Sequence, residues 1–289
     1  MAEAQPGPFD RPDSRFNTID GWTWIGCYGG HYLQCDRLAA FEHGFFTRLW
    51  QGRPPEVLAG YLSAGVSVHR TRQVHGALVL PAAAAESDPW PDADGLVSDR
   101  GGQSLWVCGA DCTPVLIADP ISGRVASCHA GWRGVAGGIL RATVEALDPG
   151  GHGRATLIVA LGPAVSGRRY QVDMTTARAV ASSLTALEGS GHGEDLDALK
   201  AIGVLADDPE QDRVRLDIRN AARQQLLAAG VTEANIQICP LCTVSEPQLF
   251  HSWRRDQIKA VQWSGIVSQS AEFAKNDALL TGTTQGLSD

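Results

Sequence analysis

Leu105-Trp106-Val107-Cys108, Val115-Leu116-Ile117-Ala118 and Val125-Ala126-Ser127-Cys128 are three short apolar runs separated by turn residues such as Gly109, Asp111, Pro120 and Gly123. Runs of this length that do not alternate mark strands buried on both faces. Beyond Gly131 the period changes. Val135, Ile139, Leu140, Val144 and Leu147 fall on one face of a helix that stops before Pro149-Gly150. Buried strands running straight into an amphipathic helix predict an α/β fold.

Towards the N-terminus, residues 1–20 are Pro-rich and polar and read as a flexible leader. Trp22, Trp24, Cys27 and Tyr28 form a strand-like stretch ending at Gly29-Gly30. Residues 66–70 alternate with period two and run into Gln73-Val74-His75-Gly76; residues 77–80 read as a further strand, closed by Pro81. The Ala-, Pro- and Asp-rich residues 82–94 predict a surface loop. Towards the C-terminus, residues 157–161 predict a buried strand and 174–187 a helix. The Gly- and acid-rich residues 188–212 read as mobile, with a short helix at 196–205. Asp217 caps a helix carrying Ile218, Ala222 and Leu226, and Gly230 stops it. Strands at 236–239 and 260–263 complete a single mixed α/β domain over residues 21–270, followed by a tail at 271–289. No internal repeat is visible.

The chain has 289 residues, 44% apolar and 19% charged, with a formal net charge of -8. This acidity excludes a general electrostatic footprint on nucleic acid. No run approaches the roughly eighteen apolar residues of a membrane helix, and the leader has no apolar core of a signal peptide. Seven cysteines, an odd number in a long chain, argue for a reducing, cytoplasmic setting.

Three segments place a metal-type ligand where a strand meets a Gly-containing turn: Gln73 to Gly76, Cys108 to Pro114 and Cys128 to Gly134. Cys128 and His129 are strand neighbours and point to opposite faces, so a site-facing His129 sends Cys128 into the core. Cys108 ends an apolar run and is expected to be buried. Cys112, after a turn and a carboxylate, is the better ligand. Two imidazoles and a thiolate, from His75, His129 and Cys112, suit zinc with a fourth position open. Asp111, Asp119 and Arg133 are near enough in sequence to support the ligands or move protons. Taken singly, each His reads more readily as a hydrogen-bonded core residue and Cys112 as a packing residue.

Together these segments resemble the YfiH-type laccase-domain family, also called polyphenol oxidase or multicopper-oxidase-like purine nucleoside phosphorylases. The matching pieces are His43-Gly44-Phe45 with Thr47-Arg48, the QVHG of Gln73 to Gly76, and Ala93-Asp94-Gly95-Leu96-Val97-Ser98. They continue with the CGADCTPVLIADP of Cys108 to Pro120 and the HAGWRG of His129 to Gly134. Leu161-Gly162-Pro163, Leu216-Asp217 and Cys242-Thr243 follow, then Phe250 to Asp256. The resemblance implies a four-layer α/β/β/α fold with mixed sheets and a zinc held by His75, Cys112 and His129. It also implies phosphorolysis of adenosine, inosine, guanosine or methylthioadenosine, with adenosine deamination as a second activity. Cys112, His75, His129 and Asp111 are then the candidate catalytic residues; Arg48, Arg133 and Gln73 are the candidate contacts to substrate and phosphate. The expected partners are purine nucleosides and phosphate, with the chain a monomer or weak homodimer. Phe46 departs from the pattern, standing where the family has a small hydroxyl residue. So do the shortened Leu49 to Pro55 segment and Trp263-Ser264-Gly265, which replaces a Gly-Arg pair.

Rival chemistries use the same residues. A multicopper oxidase needs many imidazoles, typically as His-x-His pairs, and none of the eight His is so spaced. A cysteine hydrolase would take Cys112 as nucleophile with His129 or His75 as base; related bacterial proteins are linked to editing of peptidoglycan precursors. A non-catalytic metal-binding module is the third reading. His192-Gly193-Glu194 with Cys239-Pro240-Leu241-Cys242 imitates a zinc deaminase motif, but its proline lies inside the Cys pair. No G-x-x-x-x-G-K-[ST] phosphate loop is present.

Overall fold

The three apolar runs become central strands of two mixed sheets that lie face to face. The computed structural model describes residues 18–188 and 196–270. The first sheet has seven strands in the order Thr18–Ile19, Trp22–Cys27, Gly30–Cys35, His43–Phe46, Gln262–Val267, Gln103–Gly109, Ser67–His69. The second has six, in the order Ile236–Ile238, Ile158–Leu161, Thr113–Ala118, Val125–Ala130, Gly95–Val97, Val79–Pro81. Trp22, Phe45, Leu105 and Ile266 of the first meet Leu96, Leu116, Val125 and Ala160 of the second. The other face of the second sheet, with Val115, Ile117 and Cys128, is covered by Val135, Leu140, Val144 and Leu226 from helices. Helix Pro55–Leu62 covers the outer face of the first sheet, where Leu58 packs near Phe46 and Trp106. The layers run α/β/β/α, as expected. Thr113–Ala118 and Val125–Ala130 are buried at every residue because both faces of their sheet are covered; hence they read as runs although their pairing is antiparallel.

Several expectations need correction. The helix after Gly131 is two helices, Trp132–Ala136 and Ile139–Leu147, because Gly138 adopts a left-handed φ of 81° and breaks it. Residues 82–94 are more than a surface loop, since Ala82, Ala85, Ala93 and Asp94 are all buried. The last strand is Gln262–Val267, not 260–263. Within 196–205 the helix ends at Ala201 and Leu205 opens a strand, Leu205–Asp207, of a small antiparallel sheet with Arg213–Leu216 and Gln171–Asp173. The leader up to residue 17, the tail at 271–289 and the most Gly-rich part of 188–212 lie outside the described residues. Phe46 is a core residue, with its ring 4.9 Å from Tyr32 and 5.3 Å from Trp50. A large aromatic side chain fits there because the helix-covered outer layer is itself aromatic.

His43 shows how tightly the sheet is specified. It is buried, its Nε2 accepts from the Cys35 N–H at 2.8 Å, and its Nδ1 donates to the Phe41 carbonyl at 2.7 Å. That pairing requires the neutral ring, and burial pushes its pKa down from the usual 6.5 to about 4. The unfolded chain takes up a proton below 6.5 while the folded state refuses it, so stability falls as pH drops through that window. By pH 5 the loss from this residue amounts to about 2 kcal/mol. Denaturant titrations at pH 7 and pH 5 should show this loss in the wild type and a smaller one in His43→Gln.

Candidate active site

Asp94, with no exposed surface, builds the frame of the site. Its carboxylate accepts from the N–H groups of Val74 (3.1 Å), His75 (3.0 Å) and Gly76 (2.7 Å). It also accepts from the His129 ring Nδ1 at 2.8 Å. Burial alone would raise the Asp94 carboxyl, but the hydrogen bonds from His129 and the Gly76 N–H outweigh it and hold the pKa below the usual range. The three backbone bonds keep His75 at φ 62°, a left-handed conformation that costs a non-glycine residue free energy and clusters at functional sites. The ring bond fixes the His129 tautomer and leaves Nε2 as its donor atom.

Strand parity holds as expected. Cys128 packs into the helix-side core, and His129, 3% exposed, faces the other way. Cys112 follows a tight turn in which Asp111 sits at φ 105°. The Asp111 carboxylate accepts from Thr243 Oγ1 and from the Arg254 N–H, each at 2.6 Å, and its carbonyl accepts from the Val165 N–H. These bonds pin the turn to two distant segments. Donor atoms of His75, Cys112 and His129 all lie within 4.8 Å of one another. A Cβ on Gly131 would come 2.9 Å from Cys112 Sγ, 3.4 Å from the His75 ring and 3.6 Å from the His129 ring. Glycine therefore leaves the space that the three donors enclose. Burial would raise the Cys112 thiol, but hydrogen bonds with His129 and His75 overcome it and favour the thiolate; His129 is correspondingly held towards its charged form by Asp94 and Cys112. A soft anionic sulfur with two imidazoles matches zinc, and exposed His75 leaves one side open.

His75 and Cys112, with buried His129 beside them, face a pocket of about 330 Å³ whose walls include Trp132, Arg133, Tyr170, Trp253 and Arg254. The Arg133 guanidinium stacks on Trp132 at 4.5 Å and that of Arg254 on Tyr170 at 5.0 Å. Neither makes an ion pair among the described residues. Of the expected site residues, His75, Cys112, His129, Asp111 and Arg133 come together here. Arg48 does not line this pocket. It lines a smaller one with His251, Ser252 and Asp256, and its guanidinium donates to the Pro247 carbonyl at 2.6 Å. The Gln73 amide is occupied by the backbone of Cys108, donating to its carbonyl and accepting from its N–H, both at 2.8 Å. Cys108 is only partly buried, and burial pushes its thiol up to about 12. Asp119 sits at the far end of strand Thr113–Ala118, where it closes a turn with Ile121 and Ser122. Cys239 is fully buried and Cys242 Sγ accepts from the Ser166 N–H, while His192 and Glu194 lie outside the described residues. Sequence reasoning gave no role to Asp94, Tyr170, Trp253 or Arg254. Asp94, Trp253 and Arg254 lie inside quoted motif pieces, whereas Tyr170 carries no local signal at all.

The family model described as multi-copper polyphenol oxidoreductase laccase matches residues 56–269. The chain belongs to this family. The matched span contains the three donors, Asp94, Arg133 and Arg254; Phe46 and Arg48 precede it. The purine nucleoside phosphorylase of Synechocystis sp. is 41% identical over 259 residues, covering 86% of this chain and 98% of that protein. The purine nucleoside phosphorylase YlmD of Geobacillus stearothermophilus is 35% identical over 173 residues, covering 58% of this chain and 56% of that protein. The crystal structure of YlmD from Geobacillus stearothermophilus superimposes with a TM-score of 0.69 at 26% identity, covering 86% of this chain and 99% of that one.

Because Asp94 orients two of the three donors, Asp94→Asn should weaken divalent-metal affinity by about 10- to 100-fold. Competition with a chromophoric chelator measures this directly. Wild-type affinity in the variant would remove Asp94 from the frame.

Proposed function

We propose that the chain cleaves purine nucleosides by phosphorolysis in the pocket of His75, Cys112 and His129. One observation carries the reading: a donor group open to solvent on its His75 side shares a pocket with two guanidinium groups that have no acid partner among the described residues. A phosphate needs such cations, and Tyr170, Trp132 and Trp253 offer flat apolar surface for a purine ring. The printed names of the relatives support the same substrate class.

In this reading hydrogen phosphate sits between Arg133 and Arg254, and its oxygen attacks ribose C1′ while the glycosidic bond to the base breaks and the phosphate's proton passes to the departing base nitrogen. The products are ribose 1-phosphate and the free purine. The phosphate-binding role in this reading falls to Arg254 in place of Arg48, whose side chain lines a separate hollow. His75, Cys112 and His129 would hold a zinc ion, which supplies a Lewis acid beside the substrate when bound. A multi-copper cluster would need further imidazoles, and among the described residues these three form the one such donor group. Asp111 acts as an anchor, since both of its carboxylate oxygens are taken by Thr243 and the Arg254 N–H. Adenosine deamination at the same pocket is a second activity to test. The thiolate-favouring contacts of Cys112 also fit a cysteine hydrolase; zinc-free protein that retains full activity would decide for it.

Adenosine incubated with purified protein should yield adenine and ribose 1-phosphate only when phosphate is present, read by chromatography. Inosine among the products would reveal deamination. Cys112→Ala should form none of these products, and Arg254→Ala should raise the KM for phosphate severalfold. A zinc-loaded sample that turns over no purine nucleoside overturns the proposal.

A further inference from the structure

On the helix-covered side of the first sheet, a second cavity of about 350 Å³ opens between residues 47–54 and the segment entering strand Gln262–Val267. This volume is within the range of small-ligand sites. Its walls include Trp50, Arg53, Lys259 and Trp263, with no carboxylate among the lining residues. The Arg53 guanidinium lies over the Trp50 ring at 4.7 Å, which fixes its plane. Its Nη1 is buried without a hydrogen-bond partner. That nitrogen is packed against Gly29, so what the hollow offers an anion is the charge of the guanidinium and not this closed-off atom. Neither Arg53 nor Lys259 makes an ion pair among the described residues, whereas Arg70, Arg72, Arg100, Lys200 and Arg215 all do. In a chain of net charge -8, two unmatched cations beside one hollow are a local arrangement.

We propose that this cavity is a second small-molecule site that takes an aromatic phosphate, represented by a nucleoside monophosphate. The phosphate pairs with Arg53 and Lys259, and the ring lies against the indole of Trp263, which is only partly buried. A bare inorganic anion would leave the indole wall unused, and a neutral nucleoside would leave both cations unmatched. The site backs onto the catalytic turn: Trp263 pairs with Cys108 and Gln262 with Gly109, on the strand that leads into Asp111 and Cys112. The inference is independent of phosphorolysis, because it uses none of the residues assigned to that reaction.

Titration calorimetry with adenosine 5′-monophosphate tests it. In an Arg133→Ala background, which removes a phosphate contact of the other pocket, Arg53→Ala and Lys259→Ala should each weaken the remaining binding at least tenfold. Lys259 is exposed, so its truncation leaves folding intact even where Arg53→Ala does not. With inorganic phosphate or adenosine as the probe, wild type and Lys259→Ala should behave alike. Nucleotide affinity unchanged by Lys259→Ala in the Arg133→Ala background, or no nucleotide binding left in Arg133→Ala alone, overturns the site. An equal loss for inorganic phosphate overturns its aromatic half.

Discussion

A single buried carboxylate organises the centre of this protein. Asp94 accepts three backbone N–H groups from the Val74–Gly76 turn and the ring N–H of His129. Because a buried charge is tolerated only when its lone pairs are satisfied, the turn and the ring are held together or not at all. One donor from a loop and one from strand Val125–Ala130 are thereby given one geometry. Asp111 performs the complementary task on the Cys112 side, binding the turn to Thr243 and to the backbone of Arg254. The two acids that frame the site thus have their oxygens taken by backbone N–H groups, the His129 ring and the Thr243 hydroxyl.

The layered fold was legible wherever a strand is covered on both faces. Thr113–Ala118 and Val125–Ala130 announce themselves as apolar runs, and the helical period beyond Gly131 follows from the same burial. Strands such as His43–Phe46 and Gly95–Val97 are short, and their pairing partners are distant in sequence, so no local pattern exposed them. The helix break at Gly138 was equally hidden, because a periodic apolar face persists across it.

The donor triad was legible for a different reason: each donor lies beside a turn glycine, and strand parity separates His129 from Cys128. The walls of the pocket were not. Tyr170 and Arg254 reach it from segments far along the chain, and only tertiary packing brings them opposite Arg133. Arg48 and Gln73 illustrate the converse. The resemblance gave them roles towards substrate and phosphate; in the fold Arg48 lines a separate hollow and the Gln73 amide bonds the backbone of Cys108.

The donors differ sharply in access, from exposed His75 through partly buried Cys112 to His129 at 3% exposure. An arriving ion would meet the exposed imidazole of His75 first and then the deeper donors. Departure would run in reverse, with His75 letting go before the other two. Exchange with the surrounding pool would therefore be governed by one side chain at the mouth, while the deep pair sets how firmly an ion is kept. Speed of capture and strength of retention thus reside in different residues and are free to evolve separately.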